Sequence, residues 1–419
     1  MRISRTDFLR ILLPGVVAAA CLLGSTGCKP AEDGGGTAGG GSSASASGDE
    51  IKVGVYVSLT GDTSTFGTQS RDGIQFAVDE LNAAGGVLGK KIVLDIQDDQ
   101  SRPDEAKTVA TKFASDPKIV AVIGEVASTL SKNAAPVLQR AQIPMISPSS
   151  TNPDVTKIGD YIFRVCFIDP FQGYVMAKFA RENLKLSNVA VMRDQANDYS
   201  VGLADVFKRE FQKMGGKITA DVSYSAKDSD FRSQLTQVKG ADAIFIPGYY
   251  GEVGTIARQA REQGINVPLL GGDGWDSDKL VAGAGGPGKA LEGCYFSTHY
   301  SKDAKEPRVQ EFVRAYTEKK GVPPASLVAQ GYDAMMILAD AIKRAGGADR
   351  AKVRDALAQT KNYPAVTGDI TIDEQRNATK SAVVLQVKGD EFQFVTTVSP
   401  TGGGDAAAGE SAATTAKAE

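Results

Sequence analysis

Residues 51–96 read IKVGVYVSLTGDTSTFGTQSRDGIQFAVDELNAAGGVLGKKIVLDI, and this stretch decides the fold. Ile51 to Leu59 is an apolar run of strand character. Ile74, Ala77, Val78 and Leu81 then recur at helical spacing, Gly85-Gly86 stops that helix, and Ile92 to Ile96 is a second strand. The order is strand, covering helix, strand, and repeated units of this kind imply a parallel sheet with helices packed on it.

The same alternation runs on toward the C-terminus. Pro103 opens a helix whose one face carries Ala106, Val109, Ala110 and Phe113, and Ile119 to Ile123 reads as a buried strand. A helix follows from about Thr129 to Gln139, with Pro136 as an expected kink, and Ile143 to Ser147 is the next strand, ending in Pro148. After Arg164 the pattern restarts: strand Val189 to Met192, a helix carrying Leu203, Phe207, Phe211 and Met214, and a strand near Ile218 to Tyr224. Ala243 to Pro247, a helix from about Val253 to Gln263, Pro268 to Gly271 and a strand around Cys294 continue the series. Helices near Val309 to Lys319 and Gln330 to Ala345 look like a return to the first lobe, and Ala382 to Val387 with Phe392 to Val398 look like a closing hairpin. The expected fold is therefore α/β, two doubly wound Rossmann-like lobes joined by a three-strand hinge. The first lobe is assigned residues 50–165 plus 297–368 and the second residues 166–296 plus 369–399.

Toward the N-terminus, Arg2 and Arg5 precede an apolar run from Phe8 to about Leu23, the order of a signal peptide over residues 1–27. The run is short for a span, which needs roughly 20 apolar residues. Ser25-Thr26-Gly27-Cys28 resembles a bacterial lipobox, so Cys28 is the expected lipidation site, with Ala18-Ala19-Ala20-Cys21 as the weaker alternative. The plain alternative is a secretory signal with an incidental cysteine. Residues 33–48 are almost wholly Gly, Ala, Ser and Thr, so 28–49 reads as a flexible tether and 400–419 as a disordered tail. The expected location is the periplasm or the extracellular face, on a membrane-anchored lipoprotein.

Composition narrows the function. The 47 basic and 50 acidic residues form no polybasic stretch, which argues against a nucleic-acid partner. Cys166 and Cys294 are the cysteines of the body, each in an apolar run and in no metal-like spacing; free thiols are preferred to a disulfide. The single histidine, His299, rules out a histidine-cluster metal site and is read as an exposed or hinge-region residue. No metal and no cofactor are expected. Gly283-Ala284-Gly285-Gly286-Pro287-Gly288 has the spacing of a dinucleotide fingerprint but follows a short helix, Asp278 to Val281, where that motif follows a strand. With no phosphate-binding Gly-Lys-Ser/Thr loop and no nucleophile elbow, the chain is not read as an enzyme.

In such sheets ligands sit beyond the carboxyl ends of the strands, and a cleft between two lobes collects those ends from both sides. Ser128 and Thr129 lie between a strand and a helix, where hydroxyls and free helix N-terminal amides attract a carboxylate, and Ser149 and Thr151 sit similarly after Ser147-Pro148. Asp273 follows the strand Leu269-Leu270-Gly271-Gly272, so its carboxylate should emerge at the strand end and face the cleft. The plain alternatives are helix caps and turn residues.

Several segments in order resemble the leucine/isoleucine/valine-binding family of periplasmic proteins that serve ABC transporters, over nearly the whole of residues 50–399. They are Ile51 to Val55 with Leu59-Thr60-Gly61, Asn82 to Gly89, Met145 to Pro153, Gly248-Tyr249-Tyr250 with Arg258-Gln259-Ala260, and Gly271 to Trp275. The resemblance implies the type I periplasmic binding fold and a branched-chain or similar apolar amino acid held in the interlobe cleft. It implies that Ser128, Ser149 and Thr151 hold the ligand carboxylate and part of the ammonium, with Tyr249 helping to bind the ammonium and Tyr199 covering the ligand. Phe66 corresponds to an aromatic position beside the side-chain pocket, and Thr129, Tyr250, Trp275, Leu327 and Gln330 are candidate rim residues. Asp273 is the expected partner for the ammonium; the family often has glutamate at this position, so the shorter side chain bears on which substrate fits. The expected partners are the amino acid, ABC permease subunits and the membrane through a lipid anchor, with the protein itself a monomer. The rival of another class is a sensor of the same fold for an amide, urea or another small ligand.

Overall fold

The structure is a computed structural model in which residues 50–400 are described. The expected signal segment, the expected tether with Cys28 and, apart from Pro400, the expected tail lie outside the described residues.

The first sheet contains β1 (Glu50–Val57), β2 (Lys91–Asp98), β3 (Ile119–Ile123), β4 (Met145–Ser147) and β5 (Ile162–Arg164), all parallel in the order β2-β1-β3-β4-β5. The register places Val55 beside both Ile96 and Ile123. Strand alternation explains the core: Ile51, Val53, Val55 and Val57 enter one apolar cluster and Tyr56 enters the cluster on the opposite face. The helix Ser64–Ala83 covers the first face together with Ser326–Ala345, and Pro103–Ser115 with Ser128–Arg140 covers the second. A sheet covered on both faces needs near-continuous apolar strands, and Ile119-Val120-Ala121-Val122-Ile123 is buried throughout.

The second sheet begins with β6 (Asn188–Asp194), β7 (Lys217–Tyr224), β8 (Ala243–Phe245), β9 (Leu269–Gly271) and β10 (Tyr295–Thr298). The chain then returns to the first lobe, where β11 (Tyr363–Ala365), β12 (Gly368–Ile372) and β13 (Ala378–Thr379) form a small antiparallel sheet. It comes back a last time to add β14 (Ala382–Lys388) and β15 (Glu391–Val398) as an antiparallel hairpin on β10, giving the order β15-β14-β10-β9-β8-β6-β7.

Two lobe boundaries differ from the sequence expectation. β10 belongs to the second sheet through Thr298, so the second crossing falls at Thr298-His299, not at 296/297. Ile370, Ile372 and Ala378 lie in the first lobe's core beside Ile74 and Leu338, so residues 369–379 belong to that lobe and the third crossing falls at Lys380-Ser381. The short strands β5 and β11 to β13 and the helices Asp169–Lys178 and Arg350–Ala358 were absent from the sequence reading. Strands of two to five residues are too short for alternation to mark them.

Candidate functional site

Six strands end at one place. Beyond the carboxyl ends of β1, β3 and β4 come Phe66, Ser128 and the pair Ser149 and Thr151, and beyond β6, β8 and β9 come Tyr199, Tyr249 and Asp273. These residues line a small, tightly closed cavity together with Val126 and Leu327 from the first lobe and Gly274 from the second.

The first lobe presents hydroxyls and helix amides. Ser128 is the first residue of the helix Ser128–Arg140, whose opening N–H groups have no carbonyl four residues earlier within the helix. Its Oγ accepts from Asn152 N at 3.2 Å, tying the helix start to the loop that carries Thr151. That loop, Ser147 to Asn152, is held from beneath. Ser147 Oγ donates to Glu125 O at 2.6 Å and accepts from Ser150 N at 2.8 Å, and Ser150 Oγ donates to the same Glu125 O at 2.9 Å. The fully buried Arg164 guanidinium donates to Ser150 O and, at 2.7 Å, to Asn152 O, so a charged clamp fixes the main chain on either side of Thr151. Gln330 Nε2 donates to Pro148 O at 3.0 Å.

The second lobe presents one carboxylate and two phenols. Tyr199 and Tyr249 stack with ring centroids 5.4 Å apart and planes 3° apart. Gly274 N donates to Tyr199 Oη at 3.1 Å, and Asp273 N donates to Gln172 Oε1 at 2.7 Å. This chain path requires Gly272: a Cβ there would lie 2.5 Å from Tyr199 Oη and 2.8 Å from Gln172 Oε1. Asp273 is buried; its Oδ2 meets His299 Nε2 at 3.0 Å and its Oδ1 has no hydrogen-bond partner.

Burial sets the charges around this layer. The Asp169 carboxyl, at the start of the helix Asp169–Lys178, is pushed up to about 8 by burial and by the Asp273 charge, while Thr151 and Arg164 pull the other way. The Thr151 hydroxyl is near enough to act on Asp169, yet neither Thr151 Oγ1 nor Asp169 Oδ2 has a hydrogen-bond partner. Burial lowers His299 to about 4 against the opposing pull of Asp273. The cavity therefore has hydroxyls and the start of a helix on one wall and a carboxylate on the other, with Phe66, Val126 and Leu327 also lining it.

Four candidate rim residues lie elsewhere. Trp275 is fully buried core, its Nε1 donating to Ile246 O at 2.9 Å. Gln330 is an interior support of the Pro148 loop. Thr129 Oγ1 accepts from Asp198 N at 3.1 Å and Tyr250 reaches across to the first lobe, so both join the lobes outside the cavity. His299 is at the hinge and buried, not exposed. Sequence reasoning passed over Arg164, Asp169, Gln172 and His299 as supports. The available signal was polar residues within or beside apolar hinge runs, such as Arg164 in Phe163-Arg164-Val165-Cys166-Phe167. Cys166 and Cys294 are buried free thiols.

With fold and site described, the class is clear: two doubly wound lobes around an interlobe cavity, the type I periplasmic binding architecture. The periplasmic binding protein family model matches residues 50–391, and the chain belongs to that family, in the branch of the Leu/Ile/Val-binding proteins. It is similar to the Leu/Ile/Val-binding protein BraC3 of Rhizobium johnstonii, 32% identical over 340 residues, which covers 80% of this chain and 91% of the relative. Among solved structures, a leucine-binding protein LivK from Thermotoga maritima is 41% identical with a TM-score of 0.80, covering 84% of this chain and 99% of that one. The branched-chain amino acid transporter substrate-binding protein LivJ from Streptococcus pneumoniae, in complex with isoleucine, is 34% identical with a TM-score of 0.77, covering 83% and 99%.

Proposed function

We propose that the protein is the lipid-anchored, extracytoplasmic substrate-binding component of an ABC importer, and that it carries a branched-chain or similar apolar amino acid between its lobes. The observation that carries this reading is the division of the cavity wall: Ser128, Ser149 and Thr151 on one lobe, the Asp273 carboxylate on the other, and Phe66 and Leu327 beside them. Both charged ends of an amino acid lose water on entering a closed cavity and each needs a hydrogen-bonding partner there. The hydroxyls and the N-terminal amides of Ser128–Arg140 would take the carboxylate, Asp273 the ammonium, and the apolar wall the side chain. Tyr199 and Tyr249 would cover the ligand from the second lobe. Partners on both lobes make the closed form the one a ligand stabilises, and a permease could then read the closed shape.

The test is a thermal-shift screen of protein unfolded and refolded to strip bound ligand, against the twenty amino acids and a few amides. Ligand at a thousandfold excess over its Kd adds about 4 kcal/mol to the folded state. Shifts confined to Leu, Ile, Val and close analogues support the reading; a response to amides alone moves the protein to the sensor or amide-uptake class. For the anchor, mass spectrometry of the membrane fraction should find a diacylglyceryl group on Cys28, and a soluble mature chain without it removes that part of the proposal.

A further inference from the structure

His299 is the chain's single histidine and has no part in the reading above. It stands at the second hinge crossing and is 2% exposed. Its ring stacks on Phe167 of the first crossing, with centroids 3.7 Å apart and planes 25° apart, so its orientation is set by packing. Its Nε2 lies 3.0 Å from Asp273 Oδ2, while Asp273 Oδ1 has no partner and Asp273 borders the cavity.

The charged groups that face the ring are Asp273 and Lys380. Burial, with Lys380 adding to it, outweighs Asp273 and keeps the imidazole neutral at neutral pH. A neutral imidazole carries one N–H, and an ionised carboxylate can only accept, so the proton at this contact resides on Nε2 and Nδ1 is bare. Nδ1 has no hydrogen-bond partner, which leaves the Asp273 contact as the ring's polar engagement among the described residues.

We propose that His299 is a positioning residue for the ammonium site: its Nε2–H holds one oxygen of Asp273 and turns the other, Oδ1, toward the ligand. This rests on Asp273 being the ammonium partner. A free aspartate carboxylate rotates broadly about its last torsion, and the hydrogen bond removes that freedom before the ligand arrives. Neutrality matters as well. A lysine or arginine at the same place would pair with Asp273 and compete with the ammonium, whereas a neutral donor orients the carboxylate and leaves its charge for the ligand.

One histidine gives one set of ring signals, so ¹⁵N-histidine labelling of the whole protein reads the contact directly. The expected spectrum is the neutral Nε2–H tautomer from about pH 5.5 to 8, lost to a tautomer mixture in Asp273→Ala. An Nδ1–H tautomer, or a protonated ring at pH 7, overturns the proposal. In the affinity arm, His299→Leu should weaken L-leucine binding by about 10- to 100-fold, the range for a hydrogen bond to a charged group, while His299→Gln, which keeps a donor, stays within about threefold. Equal losses in both variants, or none in either, also overturn it. A wild-type protein that binds no amino acid removes the proposed function instead, and the ring signals still decide what His299 does to Asp273. Those signals need no apolar variant to fold.

Discussion

Tyr250 and Asp62, one on each lobe, are joined across the cleft: the Tyr250 hydroxyl donates to Asp62 O at 2.8 Å and accepts from Thr65 N at 3.3 Å. Beside this clasp Phe66 meets Tyr250 and Tyr249 edge-on, at centroid distances of 4.8 and 5.7 Å. Also between the lobes, Lys132 Nζ lies 2.9 Å from Asp198 Oδ1 and Asn152 Nδ2 donates to Asp198 O at 2.8 Å. The lobes are thus drawn together by contacts that do not involve the cavity's polar groups. On the proposed function, these contacts bias the protein toward the closed form and a ligand would add to that bias.

Tyr250→Phe removes the clasp and keeps the ring. With about 0.5 to 1.5 kcal/mol per net hydrogen bond, affinity for the ligand should fall roughly 2- to 12-fold through loss of closed population. Calorimetry gives the affinity and solution scattering the compactness. Unchanged values in both would show that the clasp does not bias closure.

Asp273→Asn keeps the shape and removes the charge. L-leucine binding should weaken by at least about 30-fold, since breaking a buried charge pair costs roughly 2 to 5 kcal/mol. The deaminated analogue 4-methylpentanoate should lose little. Parallel losses for both compounds would remove Asp273 from the ammonium site.

Gly272→Ala tests the close approach behind Asp273. The glycine's φ is −111°, open to any residue, so the obstacle is contact: the new methyl would sit 2.5 Å from Tyr199 Oη and 2.7 Å from Leu203 Cδ2. Stability should drop by about 1 to 3 kcal/mol, the usual range for overpacking, and the thermal response to ligand should vanish. A variant with wild-type melting and binding would show that the neighbours yield at no cost.

The pH prediction concerns Asp169. Its folded value of about 8 exceeds the ordinary 3.8, so the folded state holds the proton more tightly, and stability is lost as pH rises from about 4 through 8. His299 runs the other way: its folded value of about 4 is below 6.5, so stability is lost as pH falls through that interval. Asp169→Asn removes the first slope and leaves the second. In urea melts the gain of the variant over wild type should be larger at pH 8 than at pH 5 by about 1 to 3 kcal/mol, below the ceiling of about 1.4 kcal/mol per pH unit. Equal differences at the two pH values would mean that Asp169 is ionised throughout.

The strand-helix order, the two-lobe division and the location of the cavity were legible in the chain. Apolar runs such as Ile119 to Ile123 mark buried parallel strands, and parallel strands put their carboxyl ends on one side. That Ser128, Thr151 and Asp273 would border the cavity could be read because each follows such a run closely, within the reach of a local pattern. Trp275 could not be told from a rim residue, because adjacent positions on a short turn differ only in which way the chain bends, and here the indole goes inward to Ile246 O.

By itself, then, the sequence determined what local periodicity and short-range spacing encode: the α/β alternation, the strand ends and the polar residues directly after them. Tertiary structure alone decided which residues stand behind those. Arg164 clamps the Thr151 loop from 12 and 14 positions away, Gln330 supports Pro148 across 182, and His299 meets Asp273 across 26. Such pairings depend on how three hinge crossings pass one another. A polar side chain in an apolar run signals that it must find a partner when buried, but only the packed structure specifies which partner that is.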